Sequence, residues 1–309
     1  MDFYTGDVAM STQVPMSRST VRTSKLVDLT EAMDVVCDGQ LLVLGGLWFH
    51  NNPSALAREI VRRRIQNLRI IAAPPSGYAV DLLIGGGCVA EATIGHVSFE
   101  HMGLAPNFQR AAQTGAVKII DADEATILGG FMATLEHLQD HPVTSVRGTD
   151  IMSSPIARRN SDGVVAPRAV VPDVCLLHAQ EADIYGNVRN FGNSFADPLF
   201  AKAARHVIVS VDRIVENSEV RKEPHRTTIP GYLVDRIVCA PGGAHPGSSQ
   251  GLYPHDETAI KAYIKAGQDP RSWEADYLEP LVHAPGTHED YLAAIGGWEH
   301  LVALNEVVK

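Results

Sequence analysis

Between Gln40 and Ala73 the chain alternates a short apolar run, a glycine pair, an amphipathic segment and a second apolar run, and this rhythm constrains the fold more than any other feature. Gln40 to Leu44 reads as a strand terminated by Gly45-Gly46. Pro53 opens a helix reaching Ile65, with Leu56, Ile60 and Val61 on one face and arginines on the other, and Leu68 to Ala73 is the next strand. This is a β-α-β unit, so the strands lie parallel and helices cover the faces of the sheet.

The rhythm continues along the chain. A first helix is expected from Val27 to Asp38, and Tyr78 to Ile84 reads as helix or strand before Gly85-Gly86-Gly87. His96 to Phe99 is a short strand candidate, Asn107 a cap for a helix that Gly115 stops, and Val117 to Ile120 a strand. A helix over Ala125 to Leu138, a strand around Val143 to Val146, and strands at Val174 to His178, Val207 to Val211 and Arg236 to Ala240 follow, with a helix from Pro198 to Arg205 among them. The polar stretch Ser153 to Pro172 is a long excursion. From His255 the chain is helical, with a capping-box-like start at Thr287 to Asp290 for a helix reaching Leu304. The expected fold class is α/β, an open, mostly parallel sheet with helices on both faces over residues 25–309. Residues 1–24, rich in Ser, Thr, Met and Arg without an apolar core, read as a flexible N-terminal arm rather than a signal peptide.

The net charge of -10 disfavours nucleic acid and acidic membrane surfaces as partners, since both would be repelled. No apolar run approaches the ~18 residues of a membrane span. The four cysteines lie far apart without a C-x-x-C pair, three of them in apolar runs, and read as buried thiols in a reducing cytoplasm. The run Arg58, Arg62, Arg63, Arg64 is either a phosphate-holding patch or a solvated helix end suited to the dipole.

Three motifs are weak in context. Gly85 to Ala90 fits G-x-G-x-x-A but lacks an acid about 20 residues on. Gly247 to Gly251 fits G-x-S-x-G without the apolar strand a nucleophile elbow needs, so Ser249 reads as part of a polar loop. His137 and His141 lack a third ligand, and no metal centre is expected. More informative are Asp121, Asp123 and Glu124, which follow a strand directly. In parallel sheets ligands gather at strand carboxyl ends, so these acids either line a site or cap the next helix. His178 to Asn187, after another apolar strand, likewise either lines a site or forms a turn.

Taken together, the ordered set Gly45-Gly46 with Pro53, Val97 to Phe108, Glu124, Gly148-Thr149-Asp150, His178 to Asn187, Ser210 to Glu216 and Ala240 to His245 resembles the alpha subunit of a family I CoA-transferase of the glutaconate type. The resemblance implies a beta subunit of related fold, a hetero-oligomer with its site between the two, and a coenzyme A thioester as substrate with no permanently bound cofactor. It implies that a glutamate attacks an acyl-CoA thioester, passes through an acyl-glutamyl anhydride and becomes a glutamyl-CoA thioester before a carboxylic acid takes the CoA. In the glutaconate type that glutamate belongs to the beta subunit, and no S-E-N-G-like segment occurs here. Gly45, Gly46, Asn51, Ser98, Glu100 and Asn107 are the expected substrate- or CoA-binding residues.

The chain is also similar to the alpha subunit of a steroid-ring-opening CoA hydrolase of the same family. There the alpha subunit carries the catalytic glutamate, and Glu124 is its match by order, as general base or nucleophile. A third alternative is a non-catalytic CoA-binding subunit. Two departures stand out. The family often places Arg before the proline of the glycine loop, where this chain has His50-Asn51-Asn52-Pro53, so a cation for a second substrate carboxylate is missing. The family's apolar Pro-Phe-x-Pro stretch is Leu138 to Pro142 here.

Overall fold

The structure is a computed structural model that describes residues 22–72, 74–159 and 162–307. Most of the expected N-terminal arm, residues 1–21, lies outside the described residues. Leu26–Val27 forms β1 and Leu29–Ala32 forms α1, capped by Asp28, whose carboxylate accepts the Glu31 N–H at 2.7 Å. The helix expected over Val27 to Asp38 shrinks to this turn and a 3-10 turn at Met33–Val35, because Val27 is used as an edge strand against Val238.

The next units are β2 (Leu41–Leu44), α2 (Ser54–Arg62), β3 (Leu68–Ala72), α3 (Tyr78–Gly85), β4 (Val89–Ile94), α4 (Pro106–Thr114), β5 (Lys118–Asp121) and α5 (Glu124–Leu135), all but β4 expected from the sequence. Here β4 precedes the expected His96–Phe99 strand, which instead makes only isolated bridges, Ser76 with Val97 and Ser98 with Leu104. Pro106 opens α4 and Ala105 is its N-cap, so Asn107 is not the cap; Gly115 closes it at φ +70 as expected.

From Glu136 to Asp173 the chain makes its excursion. The strand expected at Val143–Val146 is a loop packed into a small cluster with Ala157 and Val165. The rest comprises β6 (Val174–Ala182), β7 (Val188–Arg189), α6 (Asp197–Ala203), β8 (His206–Ile214), α7 (Asn217–Lys222), β9 (Arg236–Cys239), α8 (Glu257–Gly267), α9 (Pro270–Ser272), a π-helical stretch (Trp273–His283), α10 (His288–Ala294) and α11 (Gly297–Val307). The single helix expected from Thr287 breaks at Gly296, φ +97, after starting on the expected Thr287/Asp290 capping box.

The sheet runs β1-β9-β8-β6-β2-β3-β4-β5, every pair on this path parallel, with β7 antiparallel to β6. Alternation along β2 assigns its two faces: Leu42 and Leu44 join one core with Leu56, Ile60 and Ile70, while Val43 joins the other with Ile71, Phe131 and Leu177. Helices therefore cover both faces, as a buried parallel sheet requires. Every residue of β6 is buried. Strand order reverses between β2 and β6, since the chain winds outward from β2 through β3, β4 and β5 and returns through β6 to β8 and β9. Cys88 and Cys175 are buried, but Cys37, in the loop after the Met33–Val35 turn, and Cys239, the last residue of β9, are exposed; all four are free thiols. Among the described residues no helix is long and apolar enough to cross a membrane.

Candidate active site

The reversal between β2 and β6 is a topological switch point, and the crevice outside the strands' carboxyl ends at such a point is the usual ligand position in sheets of this kind. Gly45 leaves β2 by donating its N–H to the Leu176 carbonyl at 3.0 Å, and Gly46 turns the chain at φ +79. No larger residue fits. A Cβ on Gly45 would lie 2.4 Å from both Asp197 Oδ1 and Leu177 Cδ2, and one on Gly46 would lie 2.6 Å from the Asn51 carbonyl oxygen. The Gly46 N–H is held by Asp197 Oδ1 at 2.9 Å.

The loop that follows closes on itself through paired Leu47 and His50 backbone bonds, with Trp48 and Asn51 at positive φ. Its His50 Nδ1 lies 2.7 Å from Ser248 Oγ, and the Asn51 N–H donates to the Ser248 carbonyl at 2.9 Å. The Asn51 side chain is buried, its Oδ1 accepting Gln180 Nε2 at 2.8 Å and its Nδ2 unpaired among the described residues. Behind it, Gln180 also donates to Ser249 Oγ, Ser249 donates to Asp212, and Asp212 holds His178 Nε2 at 3.1 Å. This network is buried throughout and fixes Asn51 from below. Ser249 therefore serves a structural network, and the segment starting at His178 is the end of a buried strand rather than a turn until Asp183.

A second wall comes from the segment after β4. Ser98 is buried, bonded to His96 Nε2 at 2.8 Å, and its N–H donates to Ser76, whose neighbour Pro75 accepts the Trp48 N–H. Glu100 is exposed at φ +48. Its charge reaches both His50 and His255. Burial, then the neighbouring His255, hold His50 below the usual imidazole range, and Glu100 opposes them. His255 stacks on Phe49 with ring centroids 4.7 Å apart.

Of the residues expected from sequence, Gly45, Gly46, Asn51, Ser98 and Glu100 thus gather at one edge. Asn107 does not join them. Its amide is sequestered by Asp81 Oδ2 at 2.9 Å inside a buried cluster with Tyr263, under the start of α4. Asp123 is the N-cap of α5, in a reciprocal box with Thr126, so the capping alternative holds for it. Glu124 occupies the first turn of α5, exposed. Its strand lies three places from β2, roughly 14 Å along the sheet. The Gly85 to Gly87 turn ends α3 and feeds the amino end of β4, so it offers no helix N-terminus to a pyrophosphate. Arg58 fits neither expectation for the arginine run: it is buried with its guanidinium 3.6 Å from the Tyr291 ring centre, while Arg62 and Arg63 pair with Glu59.

Sequence reasoning missed Asp197, His50 and His255 as contributors, whereas Gln180 lay inside the His178 to Asn187 stretch read as a possible site wall. His50 stood in the expected loop but signalled only a missing arginine, and Asp197 sits 151 residues from the turn it holds.

A family model described as Coenzyme A transferase matches residues 27–240. A protein of Archaeoglobus fulgidus is 30% identical over 94% of this chain, which spans 66% of that protein's length. One subunit of the glutaconate CoA-transferase of Acidaminococcus fermentans is 29% identical over 88% of this chain and 92% of its own. The crystal structure of that transferase superposes with a TM-score of 0.85, covering 91% of this chain and 95% of the other. The cholesterol ring-cleaving hydrolase IpdA subunit of Rhodococcus jostii is 28% identical over 88% of this chain and 95% of its own.

Proposed function

The chain belongs to the coenzyme A transferase family, and from this premise we propose that it is the alpha subunit of a hetero-oligomeric CoA-transferase moving CoA between an acyl-CoA and a carboxylic acid. The observation that carries the reading is the Gly45-Gly46 turn with Asn51 at the β2/β6 crevice. The turn leaves no room for side chains, so a substrate meets backbone there, and the buried, unpaired Asn51 Nδ2 is a fixed donor for a thioester or carboxylate oxygen. A donor already oriented by Gln180 needs no reorganisation as charge develops on that oxygen.

The nucleophilic glutamate is assigned to a beta subunit of related fold. Among the acids of this chain weighed for that role, Asp123 is consumed as a cap, and Glu100 and Glu124 are exposed. The partner completes the site by covering the Glu100 edge and excluding water from the glutamyl-CoA thioester, whose hydrolysis would waste the CoA. Free thiols and an acyl-CoA substrate suit a cytoplasmic enzyme.

The likeness to the ring-cleaving hydrolase subunit supports a second reading, in which an acid of this chain is general base or nucleophile. Glu124 is that acid by chain order; Glu100 is the acid beside His50 and His255. The deciding experiment incubates the co-expressed complex with acyl-CoA, then borohydride, and maps the reduced residue by mass spectrometry. Reduction of a partner glutamate is expected. An unmodified complex that slowly consumes acyl-CoA would overturn the transferase reading and favour the hydrolase.

A further inference from the structure

Away from this crevice, three side chains from three separate elements converge on one point. His245 lies in the loop after β9, Asp256 is the N-cap of α8, and His300 lies on α11. Asp256 Oδ2 stands 3.3 Å from His245 Nε2 and 2.7 Å from His300 Nε2, and one donor atom from each residue lies within 4.8 Å of the others. We propose that His245, Asp256 and His300 form a binding site for a first-row transition-metal dication of the Zn²⁺ class, tying the C-terminal helix to the loop that carries Ser248.

The outer atoms of the cluster are arranged as such a site needs. The second nitrogen of His245, Nδ1, is 2.7 Å from the Tyr291 hydroxyl, which can accept its proton and leave the Nε2 lone pair facing inward. Asp256 Oδ1 is occupied by the Ala259 N–H at 2.9 Å, so only Oδ2 remains for a ligand role. Two imidazoles and one carboxylate, with water in a fourth position, are a set that Zn²⁺ and its neighbours accept. Bonds of about 2.0–2.2 Å in tetrahedral array separate ligand atoms by about 3.3 Å. The His245 pair already has that spacing, and the His300 pair must open by about half an ångström, which its half-exposed ring permits.

Arg58 sets the limit on affinity. It donates to the His245 carbonyl oxygen at 2.9 Å, and its charge opposes a dication held by one carboxylate. Binding is therefore weaker than at a closed four-ligand site. The benefit reaches the crevice through a short path. Pro246 accepts the Asp256 N–H at 2.9 Å, and Ser248, two residues on, accepts the Asn51 N–H.

The test uses the full-length chain, stripped with a chelator and titrated with Zn²⁺ by calorimetry at neutral pH. One ion per chain, a raised melting temperature, and visible bands of a four-coordinate centre with Co²⁺ are expected. His300→Ala changes a half-exposed side chain, so the metal-free protein should melt nearly as before while affinity falls at least about 10-fold. Asp256→Asn keeps a cap oxygen and should abolish binding. Absence of Zn²⁺ binding would overturn the proposal and leave a hydrogen-bonded cluster only. Binding undiminished in both variants would overturn it by placing the ion elsewhere. The assay reads metal directly, so its result is separate from that of the CoA-transferase reading.

Discussion

Asp197 accepts the backbone N–H of Gly46 at 2.9 Å through one carboxylate oxygen, while its other oxygen is buried with no partner among the described residues. Burial raises this carboxyl to about 7, the Gly46 N–H partly opposing it, and Cys175 nearby is itself pushed up by burial and by Asp197. Folded Asp197 thus keeps its proton at pH values where the unfolded chain, near 4, has lost it. Its stabilising effect is fully present below about 4 and is lost as pH rises to about 7, amounting at most to about 4 kcal/mol. Asp197→Asn keeps an acceptor for Gly46 and removes the titration. Urea midpoints measured from pH 4 to 8 should fall with rising pH less steeply in the variant, the two slopes differing by up to one proton. Equal slopes would mean that Asp197 is ionised in the folded protein.

Gly45→Ala brings a methyl into the space of Asp197 Oδ1 and Leu177, both buried and held, and neither is the free end of a flexible chain. Overpacking of this kind costs about 1–3 kcal/mol. Gly46→Ala adds an unfavourable φ to a clash with backbone carbonyls, costing at least as much. Both variants should melt at lower temperature and lose turnover. Gly87→Ala is the control, because it has a similar φ of +72 but open space around its Cβ and lies at the opposite end of the sheet. It should cost only the strain of φ and leave turnover per folded chain unchanged.

Asn51→Asp preserves shape and the Oδ1 that accepts from Gln180, but it replaces the unpaired donor with an acceptor. If Nδ2 donates to a developing oxyanion, kcat of the assembled complex falls about 10²–10³-fold. Asn51→Ala should fall comparably. A variant with near-normal kcat and only raised KM would instead assign Asn51 to ground-state binding.

Much of this was legible in the sequence for a definite reason. A parallel sheet buries both faces, so its strands announce themselves as short apolar runs, and glycines mark the points where the chain turns at their ends; Leu41–Leu44 before Gly45-Gly46 shows both. The strand Val89–Ile94 escaped because Glu91 and Thr93 interrupt its apolar pattern near the sheet's edge. Local chemistry also could not separate Asn107, a helix-start residue tied to Asp81, from Asn51, which a buried amide chain orients. The partners that distinguish them, Asp81 and Gln180, are 26 and 129 residues away.

Glu100 and Glu124 give the last prediction, because they part the two chemistries. Glu100 favours protonated His50, so Glu100→Gln should lower the His50 pKa further, moving its imidazole titration, followed by NMR, to lower pH. Glu124 faces solvent in the first turn of α5, where a carboxylate complements the helix dipole by roughly 0.3–1 kcal/mol. In a transferase whose nucleophile lies on the partner, Glu124→Gln loses only that small stability and keeps most of its turnover. A hydrolase using Glu124 as base or nucleophile would lose at least about 10²-fold with the complex still assembled. Comparing the two glutamine variants by kcat, with complex formation checked by gel filtration, assigns the acid: loss confined to Glu124→Gln supports the hydrolase by chain order, and loss confined to Glu100→Gln places the working carboxylate beside His50.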